Sequence, residues 1–480
     1  MIRTRIAPSP TFMHITARAA LFNYLFSKQN NKFLIRIEDT DKQRSLSEHT
    51  KEILRLEWLE LISDEEVVYQ SKNEPKHIEA INYLLEKNYA YYAYETPEEL
   101  EQIKEKFQKE KKTFVYRKIN YTQEQLEQFK KEKRKPVVRF KVQDAIVEYE
   151  DWIKKIMFDM TNVSDFIIQK SDGSIMFYIA NTVDDHFMQI THVIREDHIS
   201  NTPKQILLYK ALYNIPYFHL PLLLNKDKSK MSKRDTDVFV TVKKFIQEFL
   251  KQAIINFIVL LWHTADDREF FTIQDLLKEF SLDRVQSSNA VYDFQRAIWF
   301  NSEYIRKLED KQFIKEIKDY VNILLYDQVF KTDDKEFILK LKYWENLIKQ
   351  KLDDISYNKK WIDEVKVRLQ TLKQFIVYNN YLFDYVKVDD EILYNEKMNV
   401  TKDIVKNHLS VLIEKLKQLD IWEKENLKNF LIKYNQDNLK NQTLWPIRAI
   451  LSVQASPAFE IMYILKQETL KRLNNFIEKI

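Results

Sequence analysis

The chain has 480 residues, 45% of them hydrophobic and 31% charged, with a formal net charge of +4, no cysteine and one glycine. That length allows two to four domains with sizeable cores. The lack of cysteine excludes disulfides and cysteine-ligated zinc or iron–sulfur centres, and no apolar run reaches the length of a membrane span. The small net charge permits nucleic-acid binding through local patches without arguing for it. Ile2–Ile6 is short and carries Arg3 and Arg5, unlike a signal peptide, so a cytoplasmic location is the expectation.

The glycine count is the compositional anomaly. At a usual frequency of roughly 7%, about 34 glycines would be present. Only Gly173 is. The abundance of Lys, Asn, Ile, Phe and Tyr fits AT-rich coding, which lowers glycine usage without removing it.

In chain order, Ile2 to Ala7 reads as a short strand that Pro8 and Pro10 end. Ala19 to Phe26 reads as an apolar helix and Lys32–Glu38 as a second strand. This strand–helix–strand unit implies a parallel, right-handed crossover. His14 lies on the strand-to-helix loop, where helix-start N–H groups can face a phosphate. Asp39-Thr40-Asp41 reads as a cap for the following helix. Residues 46–62 and 74–88 carry apolar positions three and four apart, as helices do.

From residue 90 the character changes. Aromatic residues from Tyr89 to Tyr94 precede a cap at Thr96-Pro97-Glu98-Glu99 and a charged helix over 97–112. Pro136–Val142 alternates like a strand, and Ser164–Ile179 reads as two more strands across Lys170-Ser171-Asp172-Gly173. Parallel character returns at Ile190–Arg195, then a helix over 202–213 and a strand at Leu220–Leu224. Lys226 to Asp235 is a loop with five cations between Lys226 and Arg234, a density that suits a polyphosphate partner. Helices dominate from 241 onward.

Several motifs occur in order: Pro8-Ser9-Pro10-Thr11 with His14-Ile15, Arg36-Ile37-Glu38-Asp39-Thr40-Asp41, Val183-Asp184-Asp185-His186, Thr191-His192-Val193-Ile194-Arg195, Ser200–Gln205 and Lys230-Met231-Ser232-Lys233-Arg234. Trp445–Ala449 and Ser456–Glu460 follow. This set resembles the bacterial-type glutamyl-tRNA synthetases of class I over essentially the whole chain. The resemblance implies an α/β chain. Its expected parts are a Rossmann-type catalytic domain (1–89 and 186–240), an α+β acceptor-binding insertion (90–185), a helical stem-contact domain (241–307) and an all-helical anticodon-binding region (308–480).

The resemblance implies ligation of L-glutamate to tRNA(Glu) through a glutamyl-adenylate. His14, Lys230 and Lys233 take the catalytic roles; His14, Asp197, His198, Met231 and Lys233 bind ATP, which comes with Mg2+. Arg5, Ala7, Ser9, Glu38, Asn181 and Arg195 contact glutamate, and Arg368 and Arg448 read the anticodon, with Trp445 nearby. On local features alone, Arg5 equally reads as a strand-edge charge, Glu38 as a cap, Asn181 as a turn residue, and Arg195 and the two C-terminal arginines as ion-pair partners. Relatives are commonly monomers. Some hold zinc through cysteines after the position of Tyr92; Tyr94 and Glu95 stand there, so zinc is not implied. A tRNA-binding relative with impaired catalysis, or an enzyme that also charges tRNA(Gln), are the alternative readings.

Two departures accompany the resemblance. Phe177 stands where the family has a tyrosine facing the substrate carboxylate. The family also has glycines at the junctions Thr11/Phe12, Ile15/Thr16, Asn31/Lys32, Arg195/Glu196, Leu261/Trp262 and Pro457/Ala458, where this chain skips a residue. The pattern is one of deletion, as if the gene encoded glycines that the sequence lacks, for example through UGA read as glycine.

Overall fold

The computed structural model describes residues 2–8, 14–28, 31–40, 46–150, 155–195, 201–213, 217–219, 223–224, 245–261, 268–281, 284–285, 290–327, 334–353, 355–382, 388, 393–394, 400–436, 440–452 and 457–480. The chain folds into two compact units, one formed by 1–242 with 255–293 and the other by 243–254 with 294–480.

The first unit begins as the strand–helix–strand pattern requires. Strand β1 (Arg3–Ile6) leads through helix α1 (His14–Lys28) to β2 (Lys32–Ile37), which lies parallel to β1 with Arg5 opposite Leu34. Residues 17–23 of α1 are buried on every side, as in a helix inside an α/β layer. Asn23 within it accepts at its backbone carbonyl from Thr4 Oγ1 (2.9 Å) and donates from side-chain Nδ2 to the Ile194 carbonyl (2.9 Å), so one buried residue ties the helix to two strands. Helix α2 (Leu46–Trp58) and the short parallel strand β3 (Val68–Tyr69) follow, then a 3₁₀ turn (Gln70–Asn73) and α3 (Glu74–Glu86). Of the cap expected for α2 at Asp39-Thr40-Asp41, Asp41 lies outside the described residues and Asp39 is engaged elsewhere. Its carboxylate accepts from the backbone N–H (2.8 Å) and hydroxyl (2.6 Å) of Ser71, a residue brought close only by the sheet.

The next stretch is antiparallel. Strand β4 (Ala90–Ala93) leads to α4 (Pro97–Lys109) and α5 (Gln123–Lys131), then to β5 (Val137–Phe140), the hairpin β6 (Ile146–Glu150) and β7 (Lys155–Asp159), and β8 (Phe166–Gln169). The order β4-β5-β8 forms one sheet and β6-β7 another. The cap expected at Thr96 is a full capping box: Thr96 Oγ1 accepts from Glu99 N–H at 3.2 Å and Glu99 accepts from Thr96 N–H at 2.9 Å. The two strands expected across Lys170–Gly173 are one strand and a single bridge, Gln169 to Ile175. Residues Phe177–Ile179, taken for strand, open helix α6 (Phe177–Phe187). Its polar residues find buried partners only in a helix, and this outweighs the local alternation.

Strand β9 (Val193–Arg195), helix α7 (Thr202–Leu212), β10 (Tyr217–His219), β11 (Leu223–Leu224) and β12 (Ala290–Val291) complete the unit; β9 pairs in parallel with β10, and β11 with β12. Thr191 N–H donates to the Arg3 carbonyl (3.0 Å), which sets β9 beside β1.

The second unit is built of helices, among them Asp310–Tyr326, Lys335–Asp353, Ile355–Lys366, Lys402–Lys417, Lys424–Gln436, Lys440–Ser452, Ala458–Leu465 and Gln467–Lys479. Trp361, Phe313, Phe375 and Leu412 belong to its single core. No helix among the described residues is long and apolar enough to cross a membrane.

The scarcity of glycine leaves a mark on the helix ends. Gly173 sits at φ +88° in the turn after β8. Elsewhere Glu60, Asn88, Lys111, Lys133 and Gln189 take positive φ between 51° and 62° just past helices. After each, a backbone bond closes the end, such as Ile190 N–H to Asp185 carbonyl at 2.8 Å. A side chain in this conformation costs about 1–2 kcal/mol. Gln189→Gly is therefore expected to stabilise the protein by about 0.5–1 kcal/mol after the unfolded-state entropy of glycine is counted, read by urea denaturation.

Candidate functional site

The site is set by pleat and helix period. Arg5 on β1 lies opposite Leu34 on β2, and Arg36 is two residues further along, so both arginines project from one face of the sheet. Helix α6 lies under that face and presents Asn181 and Asp185, one turn apart. Arg5 donates from Nε to Asp185 Oδ1 (2.8 Å) and from Nη2 to Oδ2 (3.1 Å). Arg36 donates to the same Oδ1 from Nη1 and to Asn181 Oδ1 from Nη2. Tyr209 on α7 donates its hydroxyl to Asp185 Oδ2 at 2.8 Å. Arg5, Arg36, Asn181 and Asp185 are all buried.

Two guanidiniums on one carboxylate leave a positive excess inside the protein. Burial pulls Arg5 down, yet the charge and hydrogen bonds of Asp185 more than offset it and hold it above its ordinary value. Burial raises the Asp185 carboxyl, and the charges and hydrogen bonds of Arg5 and Arg36 overcome this and hold it below the usual range. Glu38, one residue beyond β2 and only partly exposed, approaches Arg36 Nη2 at 3.4 Å. The arrangement can receive a small molecule with a carboxylate at one end and an ammonium at the other, the guanidinium fork meeting the first and Glu38 the second.

Ala7, Glu38 and Arg195 lie at the carboxyl ends of parallel strands, the edge at which open α/β sheets bind ligands. Ala7 follows β1, Glu38 follows β2, and Arg195 ends β9. Arg195 donates from Nη2 to Thr202 Oγ1 at 2.6 Å. Asn181 is a helix residue, not a turn residue; besides Arg36 it reaches Arg5 (3.5 Å) and donates to the Phe177 carbonyl (3.1 Å). His14 is the first residue of α1, where N–H groups face outward along the helix axis; its side chain lies outside the described residues. Ser9, Asp197, His198, Lys230, Met231 and Lys233 lie outside them as well.

In the helical unit, Arg368 follows Ile355–Lys366 and donates to Glu460; Arg448 lies half-buried on Lys440–Ser452. Among the described residues no cluster of three or more His, Asp or Glu could hold a metal. In the segment after Tyr92, Glu95 accepts from the hydroxyls of Tyr116 (2.5 Å) and Tyr121 (2.6 Å).

Arg36 and Asp185 lie within motifs of the sequence that give them no role, and no local pattern singles out Tyr209. The available signal is the basic residues at alternate positions of β1 and β2, Arg3, Arg5, Lys32 and Arg36, which need acid partners: exposed Glu65 for Arg3 and Lys32, buried Asp185 for Arg5 and Arg36. Asp184 serves a second cluster, accepting from Asn73 (2.9 Å), His77 (2.9 Å) and Gln70 (2.9 Å) and so fastening α3 to α6.

Removing one member of a buried ion cluster strands the others, at about 3–5 kcal/mol. Asp185→Asn is expected to cost that much in urea unfolding. Asp185 and Glu65 share one sign of pH dependence. Hydrogen bonds from Arg3 and Lys32 pull the Glu65 carboxyl down to about 2. Stability from both groups is full above the ordinary carboxylate range and is lost as pH falls through the depressed values. Urea midpoints should therefore decline below about pH 4.5 toward pH 2, less steeply in Asp185→Asn.

The family described as tRNA synthetases class I (E and Q), catalytic domain, matches residues 1–299, and the one described as Anticodon binding domain matches residues 312–477. Glutamate--tRNA ligase 2 of Caldicellulosiruptor saccharolyticus is 34% identical over an alignment of 508 positions, covering 100% of this chain and 99% of that protein. Glutamate--tRNA ligase of Bacillus licheniformis is 32% identical over 505 positions, covering 99% of each. The crystal structure of a glutamate tRNA ligase from Elizabethkingia meningosepticum in complex with its amino acid superposes with a TM-score of 0.75 at 27% identity, covering 99% of both chains.

Proposed function

The chain belongs to the class I tRNA synthetases for glutamate and glutamine, and from that premise we infer that it ligates L-glutamate to tRNA. The observation that carries this reading is the full-length likeness to glutamate--tRNA ligases, in a chain that buries two arginines on one aspartate beside the strand ends.

The reaction has two group transfers. The α-carboxylate of glutamate attacks the α-phosphorus of ATP, which enters with Mg2+, forming glutamyl-adenylate and releasing pyrophosphate. The terminal ribose hydroxyl of tRNA(Glu) then attacks the glutamyl carbonyl and AMP leaves. Neither step needs a covalent enzyme intermediate, so catalysis consists of positioning and charge stabilisation.

Each residue has a part in that scheme. Arg5 receives the side-chain carboxylate, assisted by Asn181, while Glu38 and Ser9 receive the amino group and Ala7 and Arg195 complete the contacts. His14 at the start of α1, with Asp197, His198 and Met231, binds ATP. Lys230 and Lys233 stabilise negative charge on the phosphates as pyrophosphate leaves. Arg368 and Arg448 read anticodon bases, which single-stranded loops expose. What supports the glutamate roles is the shared burial of Arg5, Arg36 and Asp185; the ATP roles rest on the motifs.

Loss of a charge-assisted pair costs about 1.5–3 kcal/mol. Arg5→Gln is expected to raise the KM for glutamate by about tenfold to a hundredfold in ATP–pyrophosphate exchange run with tRNA present. Lys233→Ala is expected to lower the exchange rate by about a hundredfold to a thousandfold with a smaller change in that KM. An unchanged KM in Arg5→Gln would defeat the carboxylate role.

We also propose that the encoded polypeptide has glycines at the junctions Thr11/Phe12, Ile15/Thr16 and Arg195/Glu196. What supports this is that the alignment to the Caldicellulosiruptor relative spans 508 positions, while this chain has 480 residues. With those glycines the loop before α1 and the first turn of α1 regain the spacing around Thr11 and His14-Ile15 that the resemblance implies. In-frame UGA codons at the junctions would bear the proposal out, and directly abutting ordinary codons would end it. Peptide masses of the native protein give an independent reading.

A further inference from the structure

Glu460 lies near the start of the helix Ala458–Leu465, and its side chain is only 10% exposed. Its Oε2 accepts from Arg368 Nη2 and its Oε1 lies 3.3 Å from Lys424 Nζ. Lys424 also bonds Glu364 Oε1, and Glu364 Oε2 lies 4.0 Å from Arg368 Nη2. Four charges, two of each sign, therefore alternate around a closed ring. The ring joins the end of Ile355–Lys366, the turn after it, the start of Lys424–Gln436 and the start of Ala458–Leu465. Arg368 is its open corner, with a side chain 41% exposed, while Glu460 is its buried one.

We propose that Glu460 is a positioning residue for tRNA recognition: with Lys424 and Glu364 it presets the guanidinium of Arg368 to meet the edge of an unpaired base and not a phosphate. The proposal rests on the reading of Arg368 as an anticodon contact. Two physical arguments lead to it. A free arginine on a turn has large rotamer freedom, which binding must remove; anchoring Nη2 on a buried carboxylate removes it before RNA arrives. A cluster of bare cations would also attract any phosphate, without regard to sequence. The two carboxylates cancel the charge of the arginine and the lysine, so the remaining attraction is directional hydrogen bonding, which distinguishes bases.

The test is discrimination, measured as the ratio of kcat/KM for tRNA(Glu) to that for the same tRNA with one anticodon base replaced, each of the three bases in turn. Glu460→Gln keeps the shape of the side chain and loses its charge. It is expected to lower the ratio about tenfold at one base, mainly by improving use of the substituted tRNA, and to steepen the salt dependence of tRNA binding. Glu460→Asp should recover part of the ratio. A packing defect alone would weaken both tRNAs alike and leave the ratio where it was. Arg368→Ala, run in parallel, separates the two claims. If Arg368→Ala lowers the ratio and Glu460→Gln does not, the positioning role is overturned. If Arg368→Ala leaves the ratio unmoved at every base, the reading of Arg368 itself falls, and the proposal with it. Should Glu460→Gln fail to fold, Lys424→Met breaks the ring at a more exposed corner, and an unmoved ratio there overturns the proposal equally.

Discussion

Asp185 is the constraint around which the first unit is assembled. It accepts from a strand-one arginine, a strand-two arginine and a tyrosine of α7, while its own helix lies across the sheet. No two of these elements can shift without exposing a buried charge to an apolar surround, a penalty larger than most single contacts return. The strand ends that carry Ala7, Glu38 and Arg195 inherit their relative positions from that node. A buried ion cluster is weak evidence for stability in itself. Its value here is placement, because it fixes the angle of the Arg5 guanidinium between β1 and α6.

The two functional regions use arginine in one manner under different solvation. In the α/β unit, Arg5 is almost enclosed and faces a carboxylate partner of its own chain. In the helical unit, Arg368 is held on a carboxylate but remains two-fifths exposed. A deep guanidinium suits a small anion taken out of water, and a half-open one suits the edge of an RNA base. In both, an acid of the same chain fixes the orientation of the guanidinium.

Glycine scarcity acts at another level. The chain closes five helices with Glu60, Asn88, Lys111, Lys133 and Gln189 in left-handed conformation, using the same backbone bonds that glycine would allow without strain. Fold and caps survive this because each costs little beside the burial of a core. A loop that must bring backbone N–H groups against a phosphate has less tolerance, since there a side chain obstructs the ligand directly. Scarcity of glycine therefore bears on such a loop far more than on the helix ends.

Local pattern carried a good part of this protein. The β1–α1–β2 crossover, the capping box at Thr96, the dominance of helices from 241 onward and the motifs at His14 and Lys233 follow from spacing, prolines and residue type within short windows. Pattern did not carry what depends on partners far along the chain. Phe177–Ile179 alternate like a strand, yet they are helix because Asn181 and Asp185 need Arg5 and Arg36, about 145–180 residues earlier. Asp39 resembles a helix cap, yet it binds Ser71, 32 residues on, because β2 and β3 pair. Glu460 reads as one acid in a charged helix and becomes the anchor of an arginine 92 residues before it. Elements and motifs were thus determined by the sequence alone, because propensity and hydrophobic period act over a few residues. Which charges would be neighbours was decided only by tertiary structure, because burial makes an unpaired charge costly and only the folded chain brings its partner within reach.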